Sequence, residues 1–102
     1  MSISLNAFAE YAPPNIGFPS MKEYFEKEPY EGKEKIIKYL KSGKKTYISL
    51  GKSVDFFTNE TLPVEMGGMT DGEFSWSTSL YHYVERYNLR LPKEFEDKVL
   101  SQ

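Results

Sequence analysis

The segment 71–95 constrains the fold of this 102-residue chain more than any other segment. It opens with Asp71-Gly72, a pair that favours a type I′ turn because both residues tolerate positive φ. Residues 73–76 then alternate between polar and apolar, which predicts a half-buried strand. Apolar residues next recur at the spacing of one helix face, and Pro92 suits the first turn of a second helix. That helix face consists of Leu80, Tyr83, Val84 and Tyr87. The segment predicts a compact structural unit with no obvious reaction centre.

Upstream of this unit the pattern predicts a helix followed by three strands. Residues 33–41 carry an apolar stripe, and Gly43 follows as a C-terminal stop. The β-branched and aromatic content predicts strands at residues 46–50, 54–58 and 62–70. Paired glycines within the last of these, Gly67-Gly68, predict a bulge or a close backbone approach.

The N-terminal third is predicted to be mostly extended, with a short edge strand within residues 3–8. Ser20, with Glu23 three residues later, predicts a capped short helix at residues 21–25. Consecutive short strands with tight turns predict an antiparallel meander of about four to five strands. With helices packed on one face of that meander, residues 1–102 are predicted to form a single α+β domain.

Composition limits the compartment and the chemistry. The chain contains no cysteine, so it has neither a disulfide nor a thiolate metal site. No Lys or Arg precedes Lys22, and no apolar run approaches the length of a membrane span, which argues against a secretory signal. We therefore expect a soluble, cytoplasmic protein.

Charge is distributed unevenly along the chain. Residues 22–45 contain eight Lys and five Glu, whereas residues 53–85 contain six acids and no Lys or Arg. The second block predicts either an ordinary solvated surface or, if its acids face one way, a docking face for a basic partner. The candidate partner contacts are Asp55, Glu60, Glu65, Asp71, Glu73 and Trp76. For Trp76, a core position beneath the C-terminal helices is favoured over a role as a binding anchor.

Catalytic signals are weak. His82 is the only histidine, and it lies off the apolar stripe of its predicted helix, which indicates a surface or partly packed side chain. A structural zinc site needs four ligands, and the serines near residue 77 lack the context of a nucleophile elbow. We predict no catalytic residue, no metal and no cofactor. Because the chain is acidic overall, with a net charge of −2, we also predict no direct nucleic-acid binding.

The segment that begins Thr70-Asp71-Gly72 resembles the C-terminal part of a family of small bacterial proteins. The matching residues are Trp76, Leu80, Tyr83-Val84, Tyr87 and the run Leu91-Pro92-Lys93-Glu94-Phe95. The resemblance extends over residues 33–99, about two-thirds of the chain. It departs from the family pattern at Ser77-Thr78, where Pro is common, and at His82, where Tyr is usual.

The family resembles immunity proteins of bacterial toxin systems, including contact-dependent growth inhibition, and it implies no catalytic residue. The resemblance therefore implies an inhibitor that binds a cognate toxin domain. Complementary charge between an acidic inhibitor and a basic, phosphate-binding cleft predicts that this toxin is a nuclease, most simply an RNase, and a one-to-one complex is the default expectation. Two alternatives stay open. One is a regulatory or scaffold module that binds a protein unrelated to toxins, and the other is a small hydrolase or RNA-binding enzyme that depends on His82.

Overall fold

The computed structural model describes residues 3–12 and 14–102, which form a mixed α+β fold. The strands are β1 (Ile3–Ser4), β2 (Lys44–Val54), β3 (Thr61–Thr70) and β4 (Phe74–Ser77). The α-helices are α1 (Lys33–Ser42), α2 (Leu80–Tyr87) and α3 (Lys93–Leu100), and short 3-10 helices lie at Ala9–Tyr11, Pro14–Ile16 and Met21–Tyr24. The predicted α+β class is confirmed. Within the described ranges, no helix has both the length and the apolar character needed to cross a membrane.

The four strands form one sheet in the order β1-β4-β3-β2. β3 pairs antiparallel with both β2 and β4, as predicted, but β1 pairs parallel with β4. The prediction of a purely antiparallel meander is therefore wrong in this detail. The predicted edge strand within residues 3–8 is only two residues long. A contact this short carries no pattern that could indicate its direction. At the opposite side of the sheet, β2 is an edge strand.

β2 is longer and less regular than predicted. Residues 46–50 and 54–58 were expected to form two strands, but β2 continues to Val54, and a turn follows it. Between the pairs Ile48↔Gly67 and Lys52↔Glu65, three residues of β2 oppose one of β3. Gly51 lies in this stretch with φ +98°, a conformation that glycine adopts without steric cost. The glycine therefore marks a bulge within one strand and not a turn between two.

The predicted close approach at Gly67-Gly68 is confirmed. A Cβ atom on Gly67 would lie 2.3 Å from the Tyr47 carbonyl oxygen, and one on Gly68 would lie 2.6 Å from Tyr47 Cε1. The two glycines therefore let Tyr47 lie directly against β3.

The core lies between the helices and the sheet face that carries Phe74 and Trp76. The Phe95 ring on α3 packs edge-on against both, with centroids 5.2 and 5.7 Å away. Trp76 is 2% exposed, and its Nε1 donates a hydrogen bond to the Leu40 carbonyl oxygen at 3.1 Å. The apolar stripes predicted on α1 and α2 are confirmed, since the buried residues are Ile36, Ile37 and Leu40 on the first and Leu80, Tyr83 and Val84 on the second.

The turn between β3 and β4 differs from the predicted type I′. Gly72 has φ +101°, but neither Asp71 nor Glu73 has positive φ. Positive φ at the first central residue alone is the pattern of a type II′ turn, which prefers glycine there. The carboxylate of Asp71 stabilises the turn by accepting hydrogen bonds from the backbone N–H groups of Glu73 and Phe74, at 2.9 and 2.7 Å.

Candidate partner-binding surface

The six candidate contact residues do not share one surface. Glu60 lies just before β3 and Glu73 just after it, so a ten-residue strand, about 30 Å long, separates them. Asp55 and Trp76 are 0% and 2% exposed, which removes both from any surface contact. Asp55 and Trp76 therefore drop out of the predicted docking face, and the exposed candidates Glu60 and Glu73 lie at opposite ends of β3.

Asp55 is buried because the chain supplies donors to both of its carboxylate oxygens. Oδ1 accepts hydrogen bonds from the backbone N–H groups of Phe57 and Thr58, at 2.7 and 3.1 Å. Oδ2 accepts from His82 Nε2 and the Tyr87 hydroxyl, at 2.7 and 2.8 Å. Burial by itself would raise the pKa of Asp55, but these hydrogen bonds outweigh it and lower the pKa to about 2. Asp55 therefore both shapes the turn after β2 and fastens that turn to α2.

His82 is partly packed, as predicted, and its side chain is 14% exposed. Sequence reasoning missed its partner, because Asp55 lies 27 positions earlier. A histidine held by a buried aspartate is also the base-orienting pair of many hydrolases, which act on a nucleophile bonded to the other ring nitrogen. Within residues 3–12 and 14–102, however, Asp55 is the only group hydrogen-bonded to the ring. The Asp55–His82 pair therefore has a structural role, because it holds the turn after β2 against α2.

Asp71 has a similar structural role at the other end of β3. Its Oδ2 accepts hydrogen bonds from the Tyr39 hydroxyl at 2.6 Å and from Lys98 Nζ at 2.8 Å, which ties the turn to α1 and α3. Burial favours a higher pKa for Asp71, but the bonds from Lys98 and Tyr39 hold the pKa well below its usual range. Thr70 completes the motif, because its hydroxyl donates to the Phe74 carbonyl oxygen. The Thr-Asp-Gly motif is thus explained by the fold.

The three remaining candidate acids are exposed but paired. Glu60 lies 2.8 Å from Arg86 Nη1, Glu65 lies 3.4 Å from Lys52 Nζ, and Glu73 lies 3.0 Å from Lys98 Nζ. Exposed ion pairs of this kind contribute about 0–1 kcal/mol, so a partner could displace them at little cost. Their negative charge is nevertheless balanced locally by cations of the same chain.

The most prominent exposed surface of the sheet is apolar. Four large side chains, each more than 40% exposed, line one groove beside β2: Tyr47, Val54, Phe56 and Met66. The groove has a volume of about 340 Å³, and the hydroxyls of Tyr11, Ser77 and Ser79 also line it. We call this feature the hairpin groove. Ile48 and Leu50, which are 45% and 97% exposed, are two further exposed apolar residues of β2 outside the groove.

The hydroxyl groups of the hairpin groove already bond to one another. The Tyr11 hydroxyl lies 2.9 Å from Ser79 Oγ, and Ser77 Oγ lies 3.0 Å from Ser79 Oγ. Burial raises the pKa of Tyr11 to about 12, so its hydroxyl stays protonated at neutral pH. The groove therefore presents apolar walls beside a set of hydroxyls that already have partners, which suits an apolar side chain better than a reacting group.

Charge along β2 is positive. The strand contains Lys44, Lys45 and Lys52 and no acid. Lys52 pairs with Glu65, whereas the part of the chain that the structure describes offers Lys44 and Lys45 no ion pair. The apolar surface is therefore bordered by cations, in contrast to the negative face expected from the sequence.

Within the described residues, no group of three or more His, Cys, Asp or Glu side chains could hold a metal ion. No protein-family model, curated protein or solved structure matches this chain.

Proposed function

We propose that this chain is an immunity protein that binds and neutralises a bacterial toxin domain. The observation that carries the binding role is the hairpin groove, where four large hydrophobic side chains are exposed together. Contiguous apolar patches of this kind mark interaction sites in soluble proteins. The toxin as partner follows from the resemblance of residues 70–95 to immunity proteins of contact-dependent growth inhibition.

Binding is favoured over catalysis by the use that the fold makes of its polar groups. Asp55, Asp71 and His82 are the side chains best suited to act as a general acid or base. All three are instead hydrogen-bonded in contacts between secondary-structure elements. A general acid or base needs free access to a substrate proton. We therefore propose that the protein is not an enzyme and needs no cofactor.

The inhibitor would act in the cytoplasm, in a one-to-one complex that covers the active site of the toxin or a neighbouring surface. An interface of ordinary size buries about 800 Å² on each partner, roughly one eighth of the 6371 Å² surface of this chain. A nuclease remains the simplest target, since its cleft must bind phosphate. However, the paired state of Glu60, Glu65 and Glu73 means that electrostatic steering by these acids is expected to be weak.

The test is co-expression of the chain with the toxin domain encoded beside its gene. We expect the cells to survive and the two proteins to purify together in equal amounts through a tag on the toxin. A toxin domain from an unrelated system is the control and should neither be bound nor neutralised. If a folded preparation of this chain neither binds the adjacent toxin nor protects cells from it, the proposal fails.

The alternative, a regulatory module unrelated to toxins, uses the same exposed surface. It predicts that the protein still binds a cellular partner in cells from which the toxin gene has been deleted. It also predicts that removing this protein from those cells has the same effect as removing it from cells that keep the toxin gene.

A further inference from the structure

We infer that the docking surface is the free edge of β2 together with the hairpin groove, and that its occupant is an extended segment of the partner that combines acidic residues with large apolar ones. This inference rests on the proposed function, because it takes the partner to be a protein. It replaces the acidic docking face expected from the sequence with an apolar surface bordered by lysines.

The backbone of β2 is available for a further strand. β2 has eleven residues, and among the strands of residues 3–12 and 14–102 it has a neighbour, β3, on one side only. Beyond the pairing with β3, none of the backbone hydrogen bonds among the described residues involves residues 44–54. An edge with unpaired N–H and C=O groups can accept an extended peptide as an added strand, and its main-chain hydrogen bonds then supply affinity.

The hairpin groove supplies the side-chain contacts for such a segment. Alternate residues of an added strand point to the same face, so some of them would point toward the groove lined by Tyr47 and Met66. Its volume of about 340 Å³ accommodates one or two large side chains. Because the hydroxyls of Tyr11 and Ser79 already bond to each other, an aliphatic or aromatic side chain is favoured there.

The charge of β2 selects an acidic occupant. Lys44 and Lys45 are exposed, and each would lie close to side chains of an added strand. Opposite charges on directly facing residues stabilise a strand pair, and like charges destabilise it. A segment with acidic residues therefore pairs favourably, whereas a basic segment is excluded.

The same charges argue against a second copy of this chain. If β2 paired antiparallel with β2 of another copy about Ile48, Lys44 would face Lys52 of that copy. Two such like-charge contacts would form across the two-fold axis, and lysine on an edge strand is a common protection against self-pairing. Tyr47 and Phe56 offer faces on which a base could stack, but the net charge of −2 disfavours a polyanion, so a protein segment is the favoured occupant.

The closing experiment measures binding of the adjacent toxin domain to matched charge-reversal variants. The test variant is Lys44→Glu with Lys45→Glu, and the control is Lys27→Glu with Lys38→Glu, which changes two exposed lysines outside β2 by the same net charge. We expect the test variant to weaken binding by at least about tenfold and the control to change it by less than about twofold. Fluorescence of the buried Trp76, the only tryptophan, verifies that each variant is folded.

Hydrogen exchange supplies an independent readout on the backbone. We expect amides within residues 44–54 that exchange rapidly in the free protein to become protected in the toxin complex. Protection confined to other segments would overturn the inference.

The remaining outcomes separate this inference from the proposed function. If the toxin binds wild type and test variant equally well, the docking surface is wrong but the immunity function stands. If wild type does not bind the toxin at all, both are overturned. A single-stranded RNA oligonucleotide bound by wild type and released by the test variant would assign the surface to nucleic acid. A dimer of the free chain with protected β2 amides would assign it to a second copy. Either result would overturn the inference.

Discussion

Asp55→Asn is the substitution that most directly tests how this fold is held together. The substitution changes the side-chain volume very little, but it replaces one acceptor oxygen with a donor NH₂ group. Asp55 accepts four hydrogen bonds through two oxygens. An asparagine can accept only two of them, so its NH₂ group must face two donors, either the two backbone N–H groups or those of His82 and Tyr87.

The expected loss follows from the groups left without acceptors. Each buried donor without a partner costs about 1–3 kcal/mol, so the two donors should cost the variant about 2–6 kcal/mol of unfolding free energy. The pKa of Asp55 gives a second estimate. A shift from the ordinary value of 3.8 to about 2 corresponds to about 2 kcal/mol at neutral pH. A domain of this size is stabilised by about 5–15 kcal/mol in total, so the loss should be large enough to measure easily.

The assay is urea denaturation followed by the fluorescence of Trp76, with thermal melting followed by circular dichroism. We expect the melting temperature to fall by at least about 10 °C. Glu60→Gln is the control, because it removes an exposed, solvent-screened ion pair to Arg86 and should leave the free energy of unfolding nearly unchanged. If Asp55→Asn were as stable as wild type within about 0.5 kcal/mol, the stabilising role assigned to the hydrogen bonds of Asp55 between the turn and α2 would be refuted.

The pH dependence follows from the same residue. Because the pKa of Asp55 is lower in the folded protein than in the unfolded chain, its stabilisation is present above about pH 4 and is lost as the pH falls toward 2. The stability difference between wild type and Asp55→Asn should therefore shrink over this range. A difference that stayed constant from pH 7 to pH 2 would contradict the assigned ionisation.

Four further substitutions have defined outcomes, and the last of them is the control for the third. Gly43→Ala should cost about 1–3 kcal/mol in urea denaturation, since the new methyl would lie 2.6 Å from Trp76 Cζ2. Leu50→Ser should change unfolding free energy by less than about 0.5 kcal/mol, because Leu50 is 97% exposed, and it should reduce any self-association seen by light scattering. Asp71→Asn should lower thermal stability by about 2 kcal/mol, whereas Glu73→Gln, at a carboxylate 59% exposed, should have little effect. Equal effects of the last two would contradict the structural role of Asp71.

Much of the secondary structure could be predicted from the sequence because it depends on near neighbours. The stripe of Ile36, Ile37 and Leu40 predicted the buried face of α1, since helical periodicity operates over one or two turns. The close approach at Gly67-Gly68 could be predicted because only glycine permits it. The type I′ prediction was wrong because only Gly72 takes positive φ. Asp71 precedes the two central residues, and its carboxylate stabilises the turn by accepting a hydrogen bond from the Phe74 N–H group.

The candidate surface could not be predicted, because burial of charge depends on groups that are distant in the sequence. Asp55 looked like a surface acid until His82 and Tyr87 supplied donors from α2. Tyr47 and Val54 were predicted to lie in strands, but the sequence did not show that the edge position of β2 leaves both side chains exposed. The amino-acid pattern alone determined which residues form the three α-helices and the turn between β3 and β4, because sterics and periodicity act locally. Only the tertiary structure decided which charges are neutralised and which apolar side chains remain uncovered, because both depend on the segments that the fold brings beside them.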